Sequence, residues 1–420
     1  MTVDKADKKL LIENLSALYF LQFASYFLPL ITIPYLVRVL GPDKFGVISL
    51  AQVLNQCFVI VTDYGFNFSV PRKISVLGED ITGISRIFNS VFTIKTLLAV
   101  LSFFLLLILV YAIPKFREYR MVYIFTFGQV IGNVLLPVWF FQGMGRIKYA
   151  ASLNMVAKSI FTIAIFIFIK RQSDYIYVPV INSLGALAAG ILAITLIVKR
   201  FNITIKLPNI QEIIGEVSEG WHIFTVGVIY MAYSVAVPLI LGFVAPYRIV
   251  GYYSGAEKII KMAEQIQVPL LQALYPHVSK IKYRSRAAAV LFIRKVAKML
   301  GAFDAALFLA LFIFAGQISD IVLGRQFRES VCMIRIMSFI VFAHGMWHLF
   351  AEMMMNLGED VNVMRITLCA SIISISASLI LIPAFSGKGA AVAALLPGIV
   401  LFVLSALFVE RSDHLISVRS

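Results

Sequence analysis

Long apolar runs recur along the whole chain, and no other feature of the sequence constrains the fold as strongly. Runs such as LSFFLLLILVYAI, SIFTIAIFIFI and GALAAGILAITLIV contain no charged residue. An α-helix needs about 20 predominantly apolar residues to cross the hydrocarbon core of a bilayer. Sixty per cent of the 420 residues are hydrophobic, and the mean hydropathy is +0.90. Such a composition excludes a soluble globular protein, whose surface needs far more charge.

The apolar runs and the turn signals between them predict an all-α integral membrane protein with about twelve transmembrane helices. The predicted spans are 12–37, 45–70, 87–113, 119–143, 149–169, 175–198, 222–245, 251–275, 296–316, 331–355, 361–383 and 389–409. The connections between these spans are short, so we expect no soluble catalytic or binding domain. The first run follows the charged segment MTVDKADKKLL and is too long for a signal-peptide core, which predicts an uncleaved anchor.

Basic residues near the helix ends favour an orientation with both termini in the cytoplasm. In that orientation 17 of these lysines and arginines lie inside and 11 lie outside. The basic segment 280–286, KIKYRSR, fits an inside loop and is also suited to binding the phosphate of lipid headgroups. The net charge of +15 agrees with a surface that meets anionic membrane lipids. No nucleic-acid partner is predicted, because no soluble basic module exists to hold one.

The chain also divides into two similar halves. The polar connection 199–221 separates six predicted spans from six, so we expect two six-helix lobes, 1–205 and 206–420, around a central cavity. The motif GVISLA, which begins at Gly46, recurs as GYYSGA from Gly251. With an even number of spans, both lobes enter the membrane in the same direction. That arrangement is typical of transporters that work by alternating access at a site between the lobes.

The second span carries polar side chains that a lipid-facing helix would not tolerate. At about 100° per residue these side chains share one face, which should meet protein or a watery cavity. They are Ser49, Gln52, Asn55, Gln56 and Asp63. The offset between the repeated motifs places Gln52 on Glu257 and Gln56 on Lys261, so the eighth span carries a corresponding face.

Two interpretations of the eighth span stay open. Its polar residues fall within about 100° of one another on a helix, and they are Glu257, Lys261, Glu264, Gln265 and Gln272. Either Glu257 and Lys261 simply form an i,i+4 ion pair, or the face lines a hydrated cavity that attracts an anionic substrate. We favour the cavity, because charged residues inside membrane spans are expensive and usually functional. Other charges inside predicted spans include Lys258 and Asp304, and also Lys95, which could instead snorkel to an interface.

His344, His348 and Glu352 follow one another at i, i+4 and i+8, a spacing that resembles a metal-binding helix face. The chain has only five histidines, too few for a histidine-rich membrane oxidase or hydroxylase. We therefore predict no metal and no cofactor, and interpret this face as interior polar packing, with a protonatable relay as the alternative. The three cysteines match neither a disulfide framework nor a zinc site.

Three segments carry a resemblance to a known family. PLITIPYLVRVLGPDKFGVISLAQ, DYGFNFSVPRKIS and PVWFFQGMGRIKYAA resemble the O-antigen flippase family, Wzx. This family belongs to the polysaccharide-transporter branch of the multidrug/oligosaccharidyl-lipid/polysaccharide exporters. The agreement in span count and connection length covers the whole chain, whereas the specific motifs are concentrated in the first 150 residues.

The resemblance implies a transporter of the bacterial inner membrane and not an enzyme. Its substrate would be an undecaprenyl-pyrophosphate-linked oligosaccharide repeat unit, moved from the cytoplasmic to the periplasmic leaflet. An O-antigen polymerase and a chain-length regulator would then act on the product. Coupling to an ion gradient would fall to acidic groups, for which the candidates are Asp63, Glu264 and Asp304.

A polar headgroup of this kind cannot cross hydrocarbon unaided, so it needs a wet and cationic route. The candidate substrate-binding residues are Arg38, Gln52, Asn55, Gln56, Glu257, Lys258, Lys261 and Gln265. The amides are suited to sugar hydroxyls, and Lys258, Lys261 and Arg38 would offset the pyrophosphate charge.

Two other functions stay open. One is a multidrug or cation antiporter of the same superfamily, which would require a small-molecule efflux phenotype. The other is a membrane glycan polymerase or acyltransferase. That enzyme would need a sizeable periplasmic loop, and no predicted outside loop is long enough.

Overall fold

The computed structural model describes residues 5–267 and 286–417. Within these ranges the chain is helical apart from short connections, and it contains no strand. This confirms the predicted all-α class. The chain forms two compact units. Unit 1 is Met1–Leu40 with Ala51–Val228, and unit 2 is Gly41–Leu50 with Ile229–Ser420. The predicted lobe boundary after residue 205 stays a prediction.

Fourteen helices account for most of the described chain. In chain order they are α1 (Lys5–Asp63), α2 (Phe66–Leu77), α3 (Ile81–Ala112), α4 (Pro114–Glu118), α5 (Arg120–Leu135), α6 (Val138–Gly143), α7 (Ile147–Phe168), α8 (Tyr177–Arg200), α9 (Ile210–Val244), α10 (Tyr247–Gln265), α11 (Arg286–Ile313), α12 (Ala315–Val322), α13 (Ser330–Leu357) and α14 (Asp360–Ser417). Two 3₁₀ helices, Gln172–Ile176 and Arg325–Phe327, lie in connections.

Eight helical segments of the described ranges are long and apolar enough to cross a membrane, or up to nine if the bent pair within α9 counts as one span. The protein is therefore a multi-pass membrane protein. The number twelve stays a prediction, since the predicted span 251–275 continues past the last described residue before the gap. Gln272 and residues 280–285 of the basic segment also lie outside the described residues.

Both of the longest helices break where the sequence predicts a boundary between two spans. Helix α1 breaks at Gly41, where φ is 70°. Helix α14 breaks at Ser386, where φ is 54°. A positive φ cannot continue a right-handed helix. Glycine adopts it without a steric penalty, whereas a serine there is held in a sparsely populated conformation.

The motif PVWFFQG builds the aromatic core of unit 1. Trp139, Phe140 and Phe141, all on α6, are completely buried. The ring of Phe88 on α3 lies 5.7 Å from that of Trp139 and 5.6 Å from that of Phe140. Aromatic side chains bury large areas and contribute additional attraction at such ring separations. The conspicuous motif is therefore explained by packing within unit 1.

The polar connection in the middle of the chain is fastened to unit 1 by ion pairs. The ammonium group of Lys73 on α2 lies 2.8 Å from the carboxylate of Glu216 and 2.7 Å from that of Glu219, both on the first part of α9. Arg86 on α3 lies 3.3 Å from Glu212. The two more exposed pairs, Lys73–Glu219 and Arg86–Glu212, contribute about 0.2–1 kcal/mol each, so their main effect is to fix where this segment lies within unit 1.

In unit 2, the segment Gly41–Leu50 of α1 crosses α10 at the distance of backbone contact. A Cβ on Gly46 would overlap the carbonyl oxygen of Tyr247, and a Cβ on Gly251 would overlap that of Pro42. Each of these carbonyls lies four positions before the opposite glycine, so the crossing is nearly symmetric. Small residues permit this close approach of two helices. The two copies of the repeated motif thus pack against each other.

Candidate functional site

The candidate substrate and coupling residues occur in both units. Unit 1 contains Arg38, Gln52, Asn55, Gln56 and Asp63, whereas unit 2 contains Glu257, Lys258, Lys261, Glu264, Gln265 and Asp304. Each unit therefore carries its own set of polar side chains within apolar helices. The central cavity that would unite the two sets stays a prediction.

The polar face of α1 in unit 1 is unevenly buried. Asn55 is buried, Gln52 is half-buried, and Gln56 and Arg38 are exposed. The side-chain oxygen of Asn55 has no hydrogen-bond partner among the described residues. Since a buried amide oxygen normally finds a partner, Asn55 is a candidate to accept a hydrogen bond from a ligand or a water molecule.

Asp63, at the end of this face, forms an ion pair deep in unit 1. The ammonium group of Lys95 on α3 lies 2.6 Å from the Asp63 carboxylate. The Lys95 side chain is 2% exposed and that of Asp63 is 22% exposed. Lys95 therefore does not snorkel to an interface, and this interpretation is wrong. Pairing compensates the charges that burial would otherwise make very unfavourable.

The motif DYGF forms the turn that positions Asp63. Tyr64 and Gly65 have φ values of 48° and 80°, and these left-handed conformations end α1. The Tyr64 hydroxyl donates a hydrogen bond of 3.3 Å to the carbonyl oxygen of Val217, and its ring stacks on Phe224 at 4.6 Å. The turn that carries Asp63 is therefore held in place by two contacts of Tyr64, one through its hydroxyl and one through its ring.

In unit 2, the first pair of predicted residues forms the simple ion pair that the sequence allows. Lys261 lies 2.8 Å from Glu257, one helical turn earlier on α10. The Glu257 side chain is 13% exposed and that of Lys261 is 53% exposed. The ion pair itself is confirmed, and the cavity interpretation stays a prediction. Gln265 is exposed and Lys258 is half-buried on the same helix.

Glu264 is connected to two residues that were not among the candidate binding residues. His344 Nδ1 on α13 lies 2.6 Å from the Glu264 carboxylate, and His344 Nε2 lies 2.5 Å from the hydroxyl of Tyr233 on α9. When the imidazole is neutral, Nδ1–H donates to Glu264 and Nε2 accepts from Tyr233. The three side chains form one hydrogen-bonded chain, called here the His344 chain.

Local sequence patterns point to only part of the His344 chain. The spacing to His348 and Glu352 draws attention to His344, but no local pattern identifies Tyr233. The His348 ring lies 6.4 Å from that of His344. In the part of the chain that the structure describes, no group of three or more His, Cys, Asp or Glu side chains could hold a metal ion. The contacts of His344 with Glu264 and Tyr233 are those of a polar network.

Asp304 on α11 lies in a different environment. It is completely buried, and neither carboxylate oxygen has a hydrogen-bond partner within the described ranges. Gln267, which is 3% exposed, lies close to it beside Gly345 of α13. The charge of Asp304 is visible in the sequence, whereas no local pattern marks Gln267, which follows the end of α10.

The chain is similar to proteins of a known family. The family described as polysaccharide biosynthesis protein matches residues 11–282 of the chain. A protein of Escherichia coli (strain K12) that is named as a candidate O-antigen transporter is 26% identical over 414 residues. This match covers 98% of the chain and 99% of the relative.

Two solved structures have a similar fold. One is described as the inward-facing conformation of a multidrug resistance MATE family transporter of the MOP superfamily, with a TM-score of 0.74 at 13% identity, covering 94% of this chain and 96% of that one. The other is lipid II flippase MurJ in an inward closed conformation, with a TM-score of 0.70 at 12% identity, covering 94% and 87%. At these identities the likeness shows the fold alone.

Proposed function

Because the chain belongs to the polysaccharide biosynthesis protein family, we propose that it is a flippase for lipid-linked oligosaccharides. Its substrate is an undecaprenyl-pyrophosphate-linked O-antigen repeat unit, and it carries this unit from the cytoplasmic to the periplasmic leaflet of the bacterial inner membrane. The observation that carries the proposal is the 26% identity to the E. coli relative, because it extends over 98% of the chain. The family match also confirms the resemblance inferred from the N-terminal motifs.

The physical problem that such a protein solves is the transfer of a charged, hydroxyl-rich headgroup past hydrocarbon. An ionised group without compensation is strongly excluded from an apolar medium. We propose that the lysines and the arginine offset the pyrophosphate and that the amides bind sugar hydroxyls. These residues are Arg38, Lys258 and Lys261 for the charge, and Gln52, Asn55, Gln56 and Gln265 for the sugars, with Glu257 holding Lys261 in place.

We further propose that the substrate moves by alternating access, coupled to an ion gradient. Two candidate coupling residues already contact a basic side chain: Asp63 contacts Lys95, and Glu264 contacts His344. Proton uptake by either carboxylate would remove the negative partner of its pair. The helices around that pair would then lose an electrostatic contact, which is the type of change that shifts a two-state equilibrium.

The remaining parts of the proposal concern orientation and partners. Both termini lie in the cytoplasm, the protein contacts membrane lipids, and an O-antigen polymerase and a chain-length regulator act on its product. The protein has no cofactor and is a transporter and not an enzyme. Only the similarity in fold to the MATE structure supports the antiporter alternative, and a fold does not specify a substrate.

Deletion of the gene tests the proposed function. In a strain without a second flippase, the complete repeat unit should accumulate on the cytoplasmic side, and the surface polymer should disappear. The wild-type gene should restore it. Unimpaired surface polymer in the deletion strain would disprove the flippase function, and an efflux phenotype with normal polymer would favour the antiporter.

Substitutions then test the binding residues separately from the function. Lys261→Ala should fail to restore surface polymer, whereas Lys298→Ala, the same change at an exposed lysine of α11, should restore it. Asp63→Asn should also fail while the protein still inserts. Normal polymer with both Lys261→Ala and Asp63→Asn would refute the site assignment and leave the family intact.

A further inference from the structure

Asp304 is a carboxylic acid that receives no hydrogen bond from any residue that the structure describes. It lies inside the apolar segment Lys295–Ile313 and has no exposed surface. Neither oxygen is hydrogen-bonded to any described residue. An ionised carboxylate without a compensating partner is extremely unfavourable in an apolar interior, so this site requires something that the described side chains do not supply.

The side chain of Gln267, which lies beside Asp304, presents its oxygen there. The amide nitrogen of Gln267 donates a 3.4 Å hydrogen bond to the carbonyl oxygen of Val341, which turns its side-chain oxygen away from that carbonyl. This oxygen and one oxygen of Asp304 each lie less than 3.0 Å from the position that a Cβ on Gly345 would occupy. Two acceptors thus face the same space beside a residue that has no side chain, and two acceptors without a proton between them repel.

We propose that Asp304 is a proton-binding site, in which the protonated carboxyl donates a hydrogen bond to the side-chain oxygen of Gln267. One proton converts an acceptor into a donor and removes the charge at the same time. A divalent metal ion fits less well. Ca²⁺ and Mg²⁺ take about six or more oxygen ligands, and Asp304 and Gln267 together present three side-chain oxygens.

The charged and titratable groups around Asp304 agree with this assignment. On α13, His344 and His348 lie on either side of Gly345 in the sequence, and His344 is already bound to Glu264 of α10. A protonated His344 is therefore compensated by Glu264 rather than by Asp304. Helix α12, which also packs against α11, contributes Asp320, and this carboxylate is exposed.

Infrared spectroscopy of the full-length protein in lipid nanodiscs tests the proposal directly. A protonated carboxyl has a C=O stretch that a carboxylate lacks. At pH 7, about three units above the ordinary pKa of aspartate, the wild type should show this band. Asp304→Asn should remove it, and the matched control Asp320→Asn should not. Gln267→Leu should keep the band but move it to higher frequency, because the hydrogen bond that the carboxyl O–H donates to Gln267 is lost.

Each other outcome overturns the proposal. An unchanged band in Asp304→Asn means that Asp304 is ionised at pH 7. An unshifted band in Gln267→Leu, which leaves Asp304 in place, removes the hydrogen bond even if Asp304→Asn does not fold. Loss of the wild-type band when NaCl replaces choline chloride at constant pH means that Na⁺ occupies the site. None of these measurements needs the lipid-linked substrate, so they test this proposal independently of the proposed function.

Discussion

Gly46 and Gly251 lie against each other where α1 crosses α10, so closely that a Cβ on Gly46 would be 2.8 Å from the backbone nitrogen of Gly251. No side chain separates the two backbones at this point. Real Cβ atoms essentially never make contacts under 3.0 Å, and the atoms that would be displaced belong to backbone rather than to a flexible side chain. The crossing therefore depends on glycine at both positions.

Gly251→Ala should destabilise the protein by about 2 kcal/mol, because an added methyl group overpacks a contact that cannot relax locally. The measurement is the free energy of unfolding in mixed micelles. Gly316→Ala is the matched control, since a Cβ there meets nothing within 4 Å, and it should leave stability unchanged or slightly increased. Equal stability of Gly251→Ala and the wild type would contradict the close crossing.

Asp63→Asn should cost on the order of 3 kcal/mol of unfolding free energy, because it leaves the buried ammonium group of Lys95 without its partner. The double variant Asp63→Asn with Lys95→Met should recover most of that loss, since it removes both charges. Glu219→Gln is the control, because the Glu219 side chain is 64% exposed in its pair with Lys73. If the double variant is less stable than Asp63→Asn alone, Lys95 does not depend on Asp63.

The His344 chain should show coupled effects on stability. Tyr233→Phe removes one hydrogen bond to His344 and should cost about 1 kcal/mol, whereas Glu264→Gln removes a charge-assisted bond and should cost about 2 kcal/mol. The double variant should cost less than the two single effects added together, because both act on the same imidazole. Tyr177→Phe, at a tyrosine that is 50% exposed, should have no effect. Strict additivity would show that His344 does not connect the two residues.

Asp174 should make the connection before α8 sensitive to acid. Its carboxylate accepts hydrogen bonds from the backbone nitrogens of Lys170 and Arg171 at 2.9 and 2.8 Å, and these bonds lower the pKa of Asp174 below its usual value. A lowered pKa means that the stabilisation is fully present above the ordinary pKa of about 3.9 and is lost as the pH falls through the folded value.

Hydrogen exchange measured by mass spectrometry checks this expectation. After correction for the intrinsic rate, exchange in the peptide 168–177 should stay constant from pH 7 to about pH 5 and should rise only in stronger acid. Asp174→Ala should exchange faster at every pH and lose the acid dependence. Identical profiles for Asp174→Ala and the wild type would show that the carboxylate does not hold this connection.

Much of the fold follows from local sequence signals. Long apolar runs predict membrane helices because the bilayer leaves a polypeptide few other options. The break at Gly41 follows from the glycine and proline of LGPDK, and the break at Ser386 lies in the polar interruption FSGKG. What local signals cannot reveal is which neighbours a segment packs with. Nothing in the sequence of Gly41–Leu50 indicates that it belongs to unit 2, while the rest of α1 belongs to unit 1.

The candidate site shows the same limit. The pair Glu257–Lys261 is predictable because both residues lie on one helix, one turn apart. Asp63 and Lys95 are 32 positions apart, and Glu264 and His344 are 80 apart. Helical arithmetic applies within one helix and cannot bring such residues together. The sequence therefore identified most of the charged groups, and only the tertiary structure identified their partners.

The helix break at Gly41 has a practical consequence for recombining this protein with its relatives. Residues 41–50 pack with residues 229–420, although they lie in the N-terminal part of the chain. A chimaera joined at a single point in the central connection would combine a decapeptide from one parent with a crossing partner from the other. Exchanging specificity between relatives should therefore succeed more often when this decapeptide travels with the C-terminal half.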